Sequence, residues 1–285
     1  MKTINSIAEM QRLADELRSG GKRIGLVPTM GYLHEGHMSL VDEAKKRSDV
    51  VVMSIYVNPT QFAQGEDLST YPRDLARDER MADARGVDVV FVPSDKEMYP
   101  EEQLAFVEVD KAARILEGEF RPTHFRGVAT VVAKLFNIVK PHTAVFGQKD
   151  AQQAFIINKM VKDLNFDVRI AIAPIVREPD GLALSSRNVY LSETERREAT
   201  VLYRSLKLAE SMAGRGEKDP ARIRSEMLKL ITTESEGKID YISFVNPDSF
   251  ERVEEAGSLR RILALLAVRF GKTRLIDNLY LNAPR

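Results

Sequence analysis

Residues 50–57, Val-Val-Val-Met-Ser-Ile-Tyr-Val, form a nearly continuous apolar run, and this run narrows the fold more than any other feature of the chain. A strand with one wet face alternates apolar and polar side chains, whereas an unbroken run belongs to a strand covered on both faces by helices. A similar run lies at 87–92, and a shorter strand pattern at 23–27. Helical patterns separate them. Ser6 and Glu9 have capping-box spacing, Ile7, Met10, Leu13 and Leu17 then share one face, and Gly20-Gly21 supplies a stop. Residues 37–47, with Leu40, Val41 and Ala44 turned inward, and residues 75–85 also read as helices. The rhythm continues as helix 127–139, strand 143–146, helix 151–163 and strand 168–172. This alternation predicts an α/β fold, a Rossmann-like doubly wound parallel sheet that binds ligands at the carboxyl ends of its strands.

A polar loop at 177–191 breaks the rhythm. Beyond it, Ser192 and Glu195 again have capping-box spacing and are expected to open a long helix. A helix from residue 220 and strands at 241–245, 261–270 and 274–281 follow. Helices followed by consecutive strands predict a smaller α+β domain, placing the domains at 1–176 and 177–285.

Lys+Arg and Asp+Glu number 42 each, so no net field recruits nucleic acid or an acidic membrane. The chain has no cysteine, which excludes disulfides, thiolate metal sites and Cys nucleophiles. The longest apolar run, 262–268, is far short of the ~20 residues that cross a bilayer. The N-terminal pattern is broken by Glu9, Arg12 and Asp15 rather than forming a signal core. A soluble, cytoplasmic protein is expected.

Between the first buried strand and the second helix lies Pro28-Thr29-Met30-Gly31-Tyr32-Leu33-His34-Glu35-Gly36-His37. A doubly wound sheet binds phosphates there, on free backbone N–H groups and the positive end of a helix dipole. Gly31 and Gly36 permit close backbone approach. Three residues apart, His34 and His37 face one side in a helical first turn, where imidazoles donate to phosphate oxygens and offset charge developing on phosphorus. A single His at a helix start is ordinarily a surface or capping residue, and two could bind zinc, but no third ligand of suitable spacing is visible. No Walker A pattern occurs. The segment resembles the HIGH-type signature of the nucleotidylyltransferase and class I aminoacyl-tRNA synthetase superfamily, which binds ATP on a Rossmann-like sheet and attacks its α-phosphorus.

Asp180-Gly181-Leu182-Ala183-Leu184-Ser185-Ser186-Arg187-Asn188 resembles the superfamily's second, mobile phosphate loop, often written KMSKS. Two hydroxyls and a guanidinium suit the outer phosphates and departing pyrophosphate. Taken alone, it reads more readily as an ordinary Ser-rich interdomain loop; its position at the proposed domain junction, paired with the first signature, reverses that reading.

Further segments choose a family. Phe146-Gly147-Gln148-Lys149-Asp150-Ala151-Gln152-Gln153 ends another predicted strand. There Lys149 can place a charge against an α-phosphate, and Asp150 can accept from ribose hydroxyls. Ser54-Ile55-Tyr56-Val57-Asn58-Pro59-Thr60-Gln61-Phe62, Thr70-Tyr71-Pro72-Arg73 and His124-Phe125-Arg126-Gly127-Val128 complete the set. Gln61 and Gln153 are neutral amides, which suit a small hydroxy acid because they can hold a carboxylate without the tight ion pair that would blunt its nucleophilicity. In this order the segments closely resemble the pantoate–β-alanine ligase family, from about residue 24 to 191, with weaker similarity near 274–278.

The resemblance implies ATP-dependent condensation of pantoate with β-alanine through a pantoyl adenylate. Met30, Gly31, Tyr32, Leu33, His34, Glu35, Gly36 and His37 would hold ATP, with His37, His34 and Lys149 catalytic. Gly147, Gln148, Lys149, Asp150 and the backbone of Val176 would meet the nucleoside, His34, Lys149, Ser185, Ser186 and Arg187 the phosphates, and Leu184 would also belong to the ATP site. Gln61 and Gln153 would bind pantoate, Gln61 also β-alanine. Mg2+ accompanies ATP, residues 58–73 are the candidate lid, and the family is typically homodimeric. The competing readings are a nucleotidylyltransferase that stops at AMP transfer and a non-catalytic RNA-binding relative of the synthetases.

Overall fold

The computed structural model describes residues 1–63, 65–254 and 261–281, and it divides into two compact units. The first comprises Met1–Gln148 and Gln152–Pro174, the second Lys149–Ala151 and Ile175–Arg285.

The first unit is built from β1 (Lys2–Ile4), α1 (Ile7–Ser19), β2 (Ile24–Thr29), α2 (Glu35–Lys45), β3 (Val50–Ile55), α3 (Leu75–Ala84) and β4 (Val89–Phe91). It continues through the short helices α4 (Asp95–Met98) and α5 (Glu117–Phe120), then α6 (His124–Val139), β5 (Thr143–Gly147), α7 (Ala151–Asp163) and β6 (Arg169–Ala173). The six strands form one sheet in the order β1-β4-β3-β2-β5-β6, with every ladder parallel. Strands are added outward from β2 through β3 to β4, and the order then reverses to β5 and β6. The reversal places the topological switch point at β2 and β5, where such sheets open a crevice at their carboxyl ends. Val52 packs with Leu26 and the helices α1 and α6, whereas Val51, Met53 and Ile55 pack with Val27, Val41 and Ala82 on the other face. Both faces are covered, which is why the 50–57 run does not alternate.

The sequence pattern needs correcting in several places. β1 is too short to carry a period, yet it pairs with β4 at the sheet edge. β2 continues through Pro28 and Thr29 rather than turning at Pro28. Proline is tolerated because the β5 ladder is confined to Gly25 and Leu26, so at Pro28 the strand is paired only with β3. α2 begins at Glu35, with His34 as its cap. Ser6 accepts from the Glu9 N–H as expected, but Glu9 pairs with Lys2 instead of closing the box.

The second unit holds α8 (Glu193–Glu198), α9 (Val201–Gly214), α10 (Pro220–Glu234) and the antiparallel sheet β7 (Lys238–Val245), β8 (Ile262–Phe270), β9 (Thr273–Leu281). The Ser192–Glu195 box forms on both sides, but the long helix it was expected to open is interrupted at Ala199–Thr200. There Thr200 N–H and Oγ1 both donate to the Arg197 carbonyl, tightening the turn to three residues. Leu202, Leu206 and Ala209 of α9 pack with Ile223 and Met227 of α10 and Leu266 and Leu275 of the sheet, a core separate from that of the first unit. Among the described residues no helix is long and apolar enough to cross a membrane.

Candidate active site

The turn after β2 is held from below by an acceptor. Asp78 of α3 is 1% exposed and accepts from the Tyr32 and Leu33 N–H groups, at 2.7 Å each. Burial pushes its carboxyl up, and the two N–H bonds and Arg77 draw it back. Gly31 (φ 83°) and Tyr32 (φ 48°) both take the left-handed conformation. A Cβ on Gly31 would meet the Asp78 carboxylate at 2.9 Å. The Arg77 guanidinium lies 5.1 Å from the Tyr32 ring centroid, and Thr29 Oγ1 accepts from the Gly31 N–H. Nothing in the local pattern around Asp78 announces this role. Only the question of where the turn's N–H groups find acceptors leads to it.

The two histidines then sit on one side, ring centroids 4.0 Å apart. His34 Nδ1 accepts from the Gly36 N–H (3.1 Å), and His37 Nδ1 accepts from the His34 N–H (3.3 Å). A ring nitrogen that accepts carries no proton, so each neutral imidazole bears its N–H on Nε2. The backbone thus sets both tautomers and makes both rings donors at Nε2. Gly147, ending β5, lies over Leu40 of α2, which brings the ends of the two switch-point strands to the same helix.

Gln61 occupies a 3₁₀ turn (Pro59–Gln61) after β3 and is 7% exposed. Asn58, 1% exposed, orients it by donating to Gln61 Oε1 and the Gly127 carbonyl at 3.3 Å each. The Asn58 amide is itself fixed by Tyr99, whose hydroxyl donates to Oδ1 at 2.8 Å. Burial pushes the Tyr99 phenol up, so it stays a donor. With Oε1 engaged, Gln61 turns Nε2 toward Met30 Sδ, 2.9 Å away, on the turn after β2. The Gln61 carbonyl can only accept, so His124 donates to it from Nδ1–H (2.9 Å). His124 Nε2 therefore accepts from Arg121, which also clasps Glu66 at 2.9 and 2.7 Å. In the 58–73 stretch, residue 64 lies outside the described residues.

The adjacent glutamines differ. Gln152 spends its amide on the 112–117 loop, donating to the Ala112 and Ile115 carbonyls and accepting from the Glu117 N–H. Gln153, the neighbour assigned to substrate, is half-buried. Asn58, His124 and Asp78 were not singled out as site residues by sequence. Asn58 before Pro59 is a turn signal, and His124 lies in a quoted segment, but neither pattern identifies a partner for Gln61.

Gln148 closes the first stretch of the first unit, and the remaining candidates belong to the second. Lys149 lies in the 3₁₀ turn Gln148–Asp150, its Nζ 3.5 Å from Asp150. The Val176 carbonyl accepts from the Leu184 N–H, and Arg177 bridges Ala183, so residues 176–184 form a tight strap. Asn188 ties it to Glu178 and the Ala183 carbonyl, and Arg196 pairs with Asp180, holding that carboxyl below the usual range. Ser185 follows the strap and caps a 3₁₀ turn (Ser186–Tyr190) by accepting from the Arg187 N–H. Ser186 is buried.

The comparisons with known proteins agree with one another. The family model described as pantoate-beta-alanine ligase matches residues 2–280. A pantothenate synthetase of Caldicellulosiruptor bescii is 55% identical over 283 residues, covering 99% of this chain and 100% of the relative. The crystal structure of pantothenate synthetase from Thermus thermophilus superposes with a TM-score of 0.92 at 42% identity, covering 99% of this chain and 100% of that one. A pantoate-beta-alanine ligase of Francisella tularensis, solved with β-γ ATP and β-alanine, follows with a TM-score of 0.80 at 37% identity, covering 98% and 97%. With matches that span the whole chain and both units, this protein belongs to the pantoate–β-alanine ligase family.

Proposed function

We propose that the protein joins pantoate to β-alanine with ATP, releasing pantothenate, AMP and pyrophosphate through a pantoyl-adenylate intermediate. What carries this reading to the residues, beyond family membership, is the pair of Nε2–H donors on His34 and His37, fixed by their own backbone at the switch point of the sheet. In the first half-reaction a pantoate carboxylate oxygen attacks the α-phosphorus, and the bond to the bridging oxygen of pyrophosphate breaks. Negative charge grows on the α-phosphate oxygens, and donors already in place stabilise it without reorganising. In the second, the β-alanine amine attacks the acyl carbon, loses a proton, and AMP leaves with the electron pair of the cleaved acyl–oxygen bond. Activation is needed because a bare carboxylate would have to expel oxide, whereas AMP is a competent leaving group.

Met30, Gly31, Tyr32, Leu33, Glu35 and Gly36 form the nucleotide turn with the two histidines. Gly147, Gln148, Asp150 and Val176 are assigned to the nucleoside, and Lys149, Leu184, Ser185, Ser186 and Arg187 to the phosphates. Gln61 and Gln153 are assigned to pantoate. The amide orientation at Gln61 supports this, since its Nε2–H is a neutral donor that leaves a carboxylate nucleophilic. Residues 58–73 are the candidate lid that shields the hydrolysable anhydride. Mg2+ is written here as part of the nucleotide substrate. A homodimer in the cytoplasm completes the reading.

Isotope exchange tests the scheme. Labelled pyrophosphate should enter ATP when pantoate is present and β-alanine absent, and product should then require the amine. Absence of pantoate-dependent exchange would sink the two-step mechanism. His37→Ala should slow adenylation by about 10²-fold, the usual loss for one transition-state donor, and a fully active variant would remove His37 from the mechanism.

A further inference from the structure

Near the C-terminus, Arg274-Leu275-Ile276-Asp277-Asn278 lies on β9 and is not part of the assignments above. Two of its polar residues are almost wholly buried, Asp277 at 2% and Asn278 at 1% exposure. Adjacent residues of a strand point to opposite faces, and these two reach different segments of the same unit. Asp277 faces the α9 side, where its carboxylate grips Arg177 at 2.6 and 2.9 Å and accepts the Asn278 N–H. Arg177 is further fixed by the Tyr203 ring, 4.0 Å away, and by the Gly181 carbonyl across the strap. From the other face, Asn278 Nδ2 donates to the Lys149 carbonyl at 2.9 Å.

Residues Lys149–Ala151 are a three-residue island of the second unit inside the sequence of the first. The strand that holds the strap leading to Ser185–Arg187 therefore also holds the turn that carries Lys149. A charged group placed against a phosphate must be fixed in position for its field to act in the transition state. A lysine side chain is flexible, and its backbone is the part a protein can fix.

We propose that Asp277 and Asn278 are positioning residues for phosphate binding, Asn278 acting through Lys149 and Asp277 through the Arg177 strap, so that both cationic segments share one strand as reference. The inference rests on the assignment of Lys149 and Arg187 to phosphates made above. In this arrangement each acts through the residue it holds, Asp277 through Arg177 and Asn278 through Lys149.

The test is a double-mutant cycle on pantoate-dependent pyrophosphate–ATP exchange. Asn278→Ala should lower kcat by on the order of 10- to 100-fold while KM for pantoate stays within about twofold, the signature of a lost transition-state interaction. Added to Lys149→Ala, it should produce little further loss, because residues that act as a unit are non-additive. Asn278→Leu keeps the side-chain volume without the donor and should behave like Asn278→Ala, so the result does not depend on one variant folding well. Losses that multiply in the double mutant, or a rise in pantoate KM matching the fall in kcat, would reduce Asn278 to a structural residue and overturn the proposal. If the unmodified protein shows no exchange, the functional reading itself falls and takes this inference with it; that outcome is visible before any variant is made.

Discussion

Replacing Gly127 by alanine should displace Gln61 and selectively damage pantoate use. Gly127 lies in the first turn of α6, against the 3₁₀ turn of Pro59–Gln61, and the two backbones nearly touch. A Cβ at position 127 would stand 2.4 Å from the Thr60 carbonyl oxygen and 2.7 Å from Gln61 Cα, where ordinary contact begins at 3.4 Å. The turn must therefore retreat by about 1 Å, since its neighbours are backbone and offer no rotamer to yield. It cannot slide sideways cheaply. Asn58 Nδ2 is bonded to the Gly127 carbonyl, and His124 is bonded to the Gln61 carbonyl, so sliding would break contacts that orient the Gln61 amide. Overpacking of this kind costs about 1–3 kcal/mol of stability. A misplacement near 1 Å at a substrate-positioning group lowers the rate by about 10²-fold. Thermal unfolding and initial rates with varied pantoate measure both: the unfolding midpoint should drop, kcat/KM for pantoate should fall by about 10²-fold, and KM for ATP should stay near its original value. Gly214→Ala is the control. It ends α9 with nothing within 4 Å of the new methyl, and it should leave activity intact and stability equal or higher. A Gly127→Ala enzyme with unchanged midpoint and pantoate kinetics would refute the claim that this close approach sets the position of Gln61.

Asp78→Asn keeps the side chain's shape but replaces one acceptor oxygen by a donor, leaving the Tyr32 or Leu33 N–H opposed; denaturant titration should show a loss of about 1–3 kcal/mol, with a raised KM for ATP. Equal stability of the two proteins would show that the turn after β2 does not depend on that carboxylate. His142 Nδ1 accepts from the Ile24 N–H, and burial, with Arg18 nearby, holds its pKa below the ordinary 6.5. A folded value below the unfolded one means that its contribution to stability is complete above pH 6.5 and is lost as the pH falls through the folded value. The acid side of a stability–pH curve should accordingly flatten in His142→Gln; an identical acid limb in both proteins would contradict this.

The parts of the molecule legible in the sequence are those whose cause is local. The apolar run at 50–57 reports two covered faces because each residue reports its own burial, and the turn after β2 is visible as a turn entering a helix because glycines and histidines stand at fixed offsets. What the sequence conceals is the other half of each of these contacts. The N–H groups of Tyr32 and Leu33 imply an acceptor, but its position, Asp78 on α3, follows only once the sheet has brought α3 beside the turn. Gln152 and Gln153 look alike as neighbours in a polar segment, and only the 112–117 loop separates a glutamine spent on structure from one assigned to substrate. The same holds for Asn278, which meets Lys149 across 129 positions of sequence. Backbone donors and acceptors are repeated at every residue and carry no mark of their partners, whereas an almost fully buried Asp or Asn is expensive unless paired. Buried polar side chains to which the motifs give no role are therefore where the supports of a motif are to be sought, and here Asp78, Asn58 and Asn278, each no more than 1% exposed, lead to the three segments proposed to bind nucleotide, pantoate and phosphate.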